Sequence, residues 1–230
     1  MNMEKKFELT DNFIINAFGV KLFQIKCTKS FKYAKEGDLG GYVEKDENLD
    51  QESNAWVSGN AEVSGNAEVY GNAWVYGNAR VSGNAEVSGN AEVSGNARVY
   101  GNARVSGNAW VYGDARVYGN AWVYGNAEVY GNAWVYGDAE VYGNAWVYGD
   151  AEIDNNNKHC GFDCFGSANR HTHAYLTKEN KVEITCGCFR GSIEEFEKRV
   201  EETHSGTIYE KQYKAIIDVI KIKFGLTDLI

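Results

Sequence analysis

Apolar and polar residues alternate with a strict six-residue period through the middle of the chain. From Asn54 to Asn155 the hexapeptide Asn-Ala-X-Val-(Ser/Tyr)-Gly runs seventeen times without an insertion, and Ile153 replaces the last Val. A near-isostere replaces Asn at three positions, Asp114, Asp138 and Asp150. A fixed short period predicts a solenoid, in which each repeat packs only on its neighbours.

Each hexad reads as one short strand followed by one turn. In Ala-X-Val-(Ser/Tyr) the period of two places Ala and Val inside and the other two side chains outside. Gly-Asn supplies the turn, because Gly accepts positive φ freely and Asn or Asp tolerates it. Such short strands leave no hairpin that covers a core, so the chain is expected to coil in one direction and stack each coil on the last.

The hexad resembles the repeat of the hexapeptide-repeat superfamily, whose members are left-handed parallel β-helices. The resemblance lies in a branched aliphatic at one position and a small residue four places on. It implies left-handed coiling and three hexads per coil, with strands about 4.8 Å apart. We therefore expect an all-β solenoid over residues 54–155; a β-solenoid with another number of sides is the alternative.

Segments with other compositions flank the repeats. A stacked solenoid exposes strand edges at both ends, so it needs caps. Residues 1–53 are expected to form a small N-terminal β cap, with short strands at 13–15 and 20–25. Residues 156–230 are expected to form a C-terminal α+β domain.

The C-terminal segment carries both strand and helix signals. Residues 173–177 and 182–186 alternate like a hairpin. Ser192 and Glu195 form a capping box that opens a helix to about residue 204. A second amphipathic helix is expected at 208–224.

Charge and cysteine content narrow the partners and the compartment. The formal net charge is −9, and residues 54–155 hold −7 of it, with seven Glu, four Asp and four Arg. An acidic rod is a poor partner for duplex nucleic acid. The sequence has no bilayer-spanning apolar segment, and residues 1–6 lead into no signal-peptide core. Five cysteines, an odd number, without a secretion signal favour the cytoplasm.

The repeats lack the residues that acyl transfer needs. Many hexapeptide β-helices resemble trimeric acyltransferases, which use a His as the base. Residues 54–153 contain no His, Cys, Lys or Thr, and related zinc-dependent hydrases would need several His on neighbouring coils. We expect no catalytic residue and no cofactor; the alternative is an acyltransferase whose site in the C-terminal cap uses His159, His171, His173 or His204.

Three hexads per coil bring every third hexad onto one face. All six Trp take position X, and ten of the fifteen Tyr follow Val. One face then carries Trp56 and a set that we expect to form a subunit interface, namely Trp74, Trp110, Trp146, Tyr112 and Tyr148. Aromatic residues are enriched at interfaces, and so large an aromatic area is seldom bare on a monomer.

A second face stacks positive charge. Arg80, Arg98 and Arg116 fall in one column with Tyr118 alongside. Stacked Arg residues repel unless an anion or a carboxylate sits among them. The column is therefore a candidate clamp for a small anionic ligand such as a nucleotide or a sugar phosphate.

Two smaller clusters lie in the C-terminal segment. Arg190 and Ser192 precede the first helix, where backbone amides and the helix dipole favour an anion, and we expect three residues of the preceding strand to face this pocket, Arg170, His171 and His173. An ordinary helix cap with a solvated Arg is the alternative. The cysteines between 160 and 188 lack a CxxC pair, so no metal site is expected.

The wider chain resembles hexapeptide-repeat proteins of phages and prophages that are often labelled as transferases. The resemblance rests on Gly37-Asp38-Leu39-Gly40-Gly41-Tyr42, on Gly187-Cys188-Phe189-Arg190-Gly191-Ser192 and on Glu195-Phe196. We interpret the chain as a non-catalytic binding or assembly protein, a trimer by the hexapeptide resemblance, in the host cytoplasm if phage-encoded. A protein that sequesters a small nucleotide immune signal is a further alternative.

Overall fold

The computed structural model describes residues 5–226. Residues 1–4 of the predicted N-terminal cap and residues 227–230 of the predicted C-terminal domain lie outside the described residues. Most of the 1–6 stretch, in which no signal peptide is expected, therefore lies outside them too. Between the caps the chain forms a parallel β-solenoid of about six turns. This confirms the predicted fold class; the left-handed coiling stays a prediction.

Every hexad contributes one strand made of X and Val. In chain order these strands are β4 Trp56–Val57, β5 Glu62–Val63, β6 Glu68–Val69, β7 Trp74–Val75, β8 Arg80–Val81, β9 Glu86–Val87, β10 Glu92–Val93, β11 Arg98–Val99, β12 Arg104–Val105, β13 Trp110–Val111, β14 Arg116–Val117, β15 Trp122–Val123, β16 Glu128–Val129, β17 Trp134–Val135, β18 Glu140–Val141, β19 Trp146–Val147 and β20 Glu152–Ile153.

Each strand pairs in parallel with the strand three hexads later, so the solenoid has three faces. Face 1 is the sheet β4-β7-β10-β13-β16-β19, and face 3 is β6-β9-β12-β15-β18. Face 2 is β5-β8-β11-β14-β17-β20, which three N-terminal strands extend, β1 Phe7–Ile15, β2 Lys21–Cys27 and β3 Leu39–Val43. Register such as Glu92 beside Trp110 repeats every eighteen residues, as three hexads per coil require.

The core is a column of Ala and Val with almost no solvent exposure. Every repeat Val from Val57 to Val147 is at most 1 % exposed. At the corners the repeat glycines have φ between 62° and 76°, the left-handed region that glycine enters without steric cost. The corner Asn side chains form ladders, as where Asn90 donates to Oδ1 of Asn108 at 2.9 Å.

The N-terminal cap covers the first coil. β1 and β2 form an antiparallel hairpin, and β3 joins β5 in parallel. Nζ of Lys6 donates to the carbonyl oxygens of Ser53 and Ala55 at 2.9 and 2.8 Å, which ties the cap to the first hexad. A short 3-10 helix, Asp46–Asn48, precedes the repeats.

The expectation that Trp56 points outward to solvent is wrong. Its side chain is only 2 % exposed, because the N-terminal cap packs over the first coil. Phe31 meets the Trp56 ring edge-on at 5.3 Å, and a Cβ at Gly40 would lie 2.8 Å from that ring. The cap therefore takes Trp56 into the core.

The C-terminal cap is an antiparallel sheet between the last coil and two helices. After the 3-10 turn Asn156–Lys158, the strands are β21 His159–Phe165, β22 Arg170–Leu176, β23 Val182–Cys186 and β24 Phe189–Gly191. The helices are α1 Ile193–His204 and α2 Ile208–Lys223, close to the predicted bounds. Tyr175 is fully buried in the solenoid core, so this sheet closes the open end of the stack.

Candidate functional site

Face 1 leaves two of its tryptophans open. Trp110 is 47 % exposed and Trp146 is 37 % exposed. Trp74 is half-buried, because it stacks on Tyr33 of the N-terminal cap at 5.2 Å and its Nε1 donates to Oγ of Ser58 at 2.9 Å. The chain thus covers the start of face 1 itself, and the bare aromatic surface lies toward the C-terminal end.

A ladder of stacked tyrosines runs beside these tryptophans. Tyr112, Tyr130 and Tyr148 stack with ring centroids 4.7 and 4.8 Å apart, which is the coil spacing. The guanidinium of Arg190 lies 4.1 Å from the Tyr148 ring and closes the ladder. Burial, followed by the carboxylate of Glu128, raises the pKa of Tyr112, whose hydroxyl donates to that carboxylate at 3.1 Å. These phenols stay neutral hydrogen-bond donors.

Face 2 carries the predicted arginine column. Arg98 pairs in register with Arg80 on one side and Arg116 on the other. Arg80 reaches Glu62 at 3.3 Å, and Arg116 lies 4.9 Å from the ring of Trp134. Within the described part of the chain, Arg98 makes no ion pair. Arg80 thus has a carboxylate partner and Arg116 an aromatic one, while Arg98 lies between two arginines.

Tyrosines line the arginine column as the sequence predicts. Tyr118 stacks between Tyr100 and Tyr136, with both centroid distances 4.9 Å. The hydroxyl of Tyr136 donates to Glu152 at 2.6 Å. A planar ligand has no gap between these rings, so a clamp on face 2 would have to use the outer edges of the tyrosines.

Three histidines meet where the C-terminal sheet covers the last coil. Nδ1 of His173 lies 3.3 Å from the carbonyl oxygen of Trp146, and its Nε2 lies 3.0 Å from Nδ1 of His159. A carbonyl only accepts, so Nδ1 of His173 carries the proton and His159 donates to Nε2 of His173. Burial lowers the pKa of His159 to about 4, with a further contribution from Lys223, and burial lowers the pKa of His173 well below its usual value.

His171 forms a separate pair with an acidic residue. Its Nδ1 lies 2.7 Å from Oδ1 of Asp163, which orients the ring. Nε2 of His171 and Nε2 of His159 are buried without a hydrogen-bond partner among the described residues. All three histidines and Asp163 line a cavity of about 630 Å³, together with Tyr142.

The predicted anion pocket before α1 does not assemble. Arg190 donates to both carboxylate oxygens of Glu183, at 3.0 and 3.2 Å. Oγ of Ser192 accepts from the backbone amide of Glu195 and donates to Glu194, as a helix cap does. Their polar groups are therefore occupied, as the cap alternative implies.

The three strand residues expected at that pocket lie elsewhere. Arg170 and His171 line a smaller cavity of about 320 Å³ beside Trp146, and neither Arg190 nor Ser192 reaches it. His173 is 1 % exposed under the sheet. Arg170 therefore meets His171 at the smaller cavity, whereas His173 lines the larger one.

Sequence reasoning missed the acidic partners of this region. Asp163 orients His171, and Glu183 neutralises Arg190. The alternation of β21 could have predicted that Asp163 lies near the histidines, because it places His159, Gly161 and Asp163 on one side of the strand. The register sets Gly161 opposite His173. Among the described residues no group of three or more His, Cys, Asp or Glu is arranged to hold a metal ion.

Neither helix in the described region is long and apolar enough to cross a membrane. The comparisons with known proteins concern the repeats. Five stretches, 73–89, 91–107, 97–113, 109–125 and 121–137, match the family model described as the YdcK beta solenoid repeat. No curated protein matches the chain. Each matched stretch begins at a repeat Ala and ends at a repeat Gly, so the matches follow the hexads. The repeat region is therefore similar to that of YdcK and is a β-solenoid repeat array.

Proposed function

We propose that this protein is a non-catalytic binding and assembly rod that self-associates through the faces of its β-solenoid. The observation that carries the proposal is the exposure of Trp110 and Trp146 on one face of a rigid stack. Two large apolar rings presented in register, beside a stacked tyrosine ladder, are the surface that a subunit interface buries.

The composition of the coils supports a structural role. Their outward side chains are Trp, Tyr, Ser, Glu and Arg, and none is a base that titrates near neutral pH. The resemblance to hexapeptide-repeat proteins supports a trimer as the assembled state. The resemblance to phage and prophage proteins supports a phage origin, and the odd cysteine count supports a cytoplasmic setting.

The test removes the apolar surface without disturbing the core. In Trp110→Glu with Trp146→Glu, both new carboxylates point outward, so the β-rich circular dichroism spectrum should stay unchanged. Burying one Trp is worth roughly 2–3 kcal/mol, so two replacements should dissociate a moderate interface. Light scattering on a sizing column should show the mass falling from the oligomer to the monomer.

Trp56→Phe is the matched control for that experiment. Trp56 belongs to the same column but is buried under the N-terminal cap, so its replacement should lower thermal stability and leave the mass unchanged. A wild-type protein that runs as a monomer would overturn the assembly proposal. The exposed faces would then be an open surface for a small anionic ligand or a host protein.

One observation favours a second candidate, an acyltransferase whose site lies in the C-terminal cap. Asp163 orients His171, whose unpartnered Nε2 lies at the 630 Å³ cavity, and a positioned His of this kind acts as a general base. The test is CoA release from acetyl-CoA with small amines or alcohols. Turnover lost in His171→Ala and kept in His204→Ala would establish this function; no turnover would remove it.

A further inference from the structure

We propose that face 2 of one copy packs on face 1 of the next, coil against the same coil, with parallel rods related by rotation about an axis along the rods. This inference rests on the proposed self-association and adds which faces meet and in which register. It follows from the charges along the two faces, which complement each other coil by coil.

The arginine column on face 2 is incomplete within one chain. Arg80 has Glu62, and Arg116 has the ring of Trp134. Arg98 lies between these two arginines, is exposed, and makes no ion pair in the described region. Like charges side by side on a sheet are destabilising, so a carboxylate from outside the chain would relieve the column.

Face 1 presents that carboxylate in the same coil. Glu92 belongs to the coil of Arg98, and it lies between Trp74 and Trp110 in its own column. Its contact within the chain is one hydrogen bond from Tyr76 at 3.2 Å, which leaves an oxygen for a second donor. The neighbouring coils offer Trp110 to Arg116 and the half-covered Trp74 to Arg80. Arginine stacks on aromatic faces and pairs with carboxylates, so three successive coils match.

Symmetry fixes the register of this match. Identical subunits related by a rotation axis parallel to the rods have no shift along that axis, so residues of the same coil face each other. When face 2 packs on face 1 in this register, no two like charges face each other in the coils from Trp74 to Glu152. Face 2 against face 3 would set Arg98 against Arg104, and face 3 against face 1 would set Glu140 against Glu128. Like-charge contacts of this kind select against both alternatives.

A charge exchange tests the pairing. Arg98→Glu opposes Glu92 with a second carboxylate, and Glu92→Arg opposes Arg98 with a second guanidinium. In each single variant we expect the half-dissociation concentration to rise at least about tenfold, because close interfacial charge pairs couple strongly. Glu92→Arg combined with Arg98→Glu restores opposite charges and should return the oligomer mass measured by light scattering.

Arg104→Glu is the matched control, since it makes the same change in the same coil on face 3, outside the proposed contact. Its mass should equal that of the wild type. Arg98→Gln provides a milder variant, which removes the pair without adding a like charge to face 1. Circular dichroism reports whether each variant is folded.

The outcomes separate this inference from the proposed function. Rescue of the oligomer in the double variant supports the pairing of face 2 with face 1. An oligomeric wild type in which neither Arg98→Glu nor Arg98→Gln weakens assembly overturns the pairing and leaves self-association standing. A monomeric wild type overturns self-association and the pairing with it.

Discussion

At the scale of single residues, the corner glycine carries the strictest demand of the repeat. Each one has positive φ, and most lie directly above the glycine of the next coil. A Cβ at Gly107 would come within 2.9 Å of the backbone N and O of Gly125, whereas a Cβ at Gly143 would meet nothing within 4 Å. Substitutions at Gly107 and Gly143 therefore separate the cost of a positive φ from the cost of close contact between successive coils.

Gly107→Ala and Gly143→Ala should destabilise the protein by different amounts. Both force an L-residue into the left-handed region, at roughly 1–2 kcal/mol. Gly107→Ala also pushes two coils apart, which adds about 1–3 kcal/mol as overpacking does. Urea unfolding followed by circular dichroism measures both. Equal losses at the two sites would contradict the close contact between successive corners.

The asparagines show the same dependence on neighbours. Asn120 donates to Asp138, and Asn96 donates to Asp114. A carboxylate accepts a hydrogen bond from the previous coil but has no N–H to donate to the next one. The ladder of hydrogen bonds is therefore interrupted wherever Asp replaces Asn. The Asn-to-Asp replacements are visible in the sequence, but their effect depends on which corner each one occupies.

At the scale of elements, the contact between the C-terminal sheet and the last coil is the least predictable part of the molecule. It buries His173 and His159 side by side, with Lys223 and Glu140 around the same cavity and the His171–Asp163 pair at its edge. Both buried histidines are held neutral, because burial disfavours the imidazolium. In the unfolded chain these histidines are exposed to water, so the imidazolium form is not disfavoured.

Stability should therefore fall as the pH drops below about 6.5, the usual histidine pKa. Since the folded pKa of His159 is about 4 and that of His173 is also lowered, the unfolded state binds protons that the folded state excludes. Two such groups give a slope of up to about 2–3 kcal/mol per pH unit. Denaturant titrations between pH 7.5 and 5 measure it.

His159→Gln should remove roughly half of this slope, because glutamine keeps a donor for Nε2 of His173 and does not titrate. His204→Gln, at the end of α1 and outside this cavity, is the control for replacing a histidine by glutamine. An unfolding free energy that is flat from pH 7.5 to 5 in the wild type would refute the buried neutral histidines.

At the scale of the whole molecule, periodic features could be predicted from the sequence and aperiodic ones could not. Eighteen residues per coil place Arg80, Arg98 and Arg116 in one column, as the sequence implied and as the pairing shows. Because every hexad has the same short-range environment, this column can be predicted from the repeat length alone, without knowledge of the contacts with the caps. Trp56 has the same sequence signature as Trp110, yet the cap buries one and leaves the other exposed. No periodic signal encodes where a cap docks.

Because the hexads are nearly identical, the core does not define how many coils the rod contains. Deleting residues 84–101 removes one coil of eighteen residues and joins Gly83 to Asn102, so every later Ala and Val keeps its phase, Arg80 stacks on Arg116, and both caps keep their local contacts. We expect this variant to fold, with a β-rich circular dichroism spectrum and a cooperative thermal transition.

Deleting only 84–98 joins Gly83 to Val99 and leaves half a hexad. It should unfold more readily although it removes fewer residues, because the inward and outward positions no longer match those of the coils on either side. If the shorter deletion were the more stable one, the three-hexad coil would not be the unit that stabilises the rod.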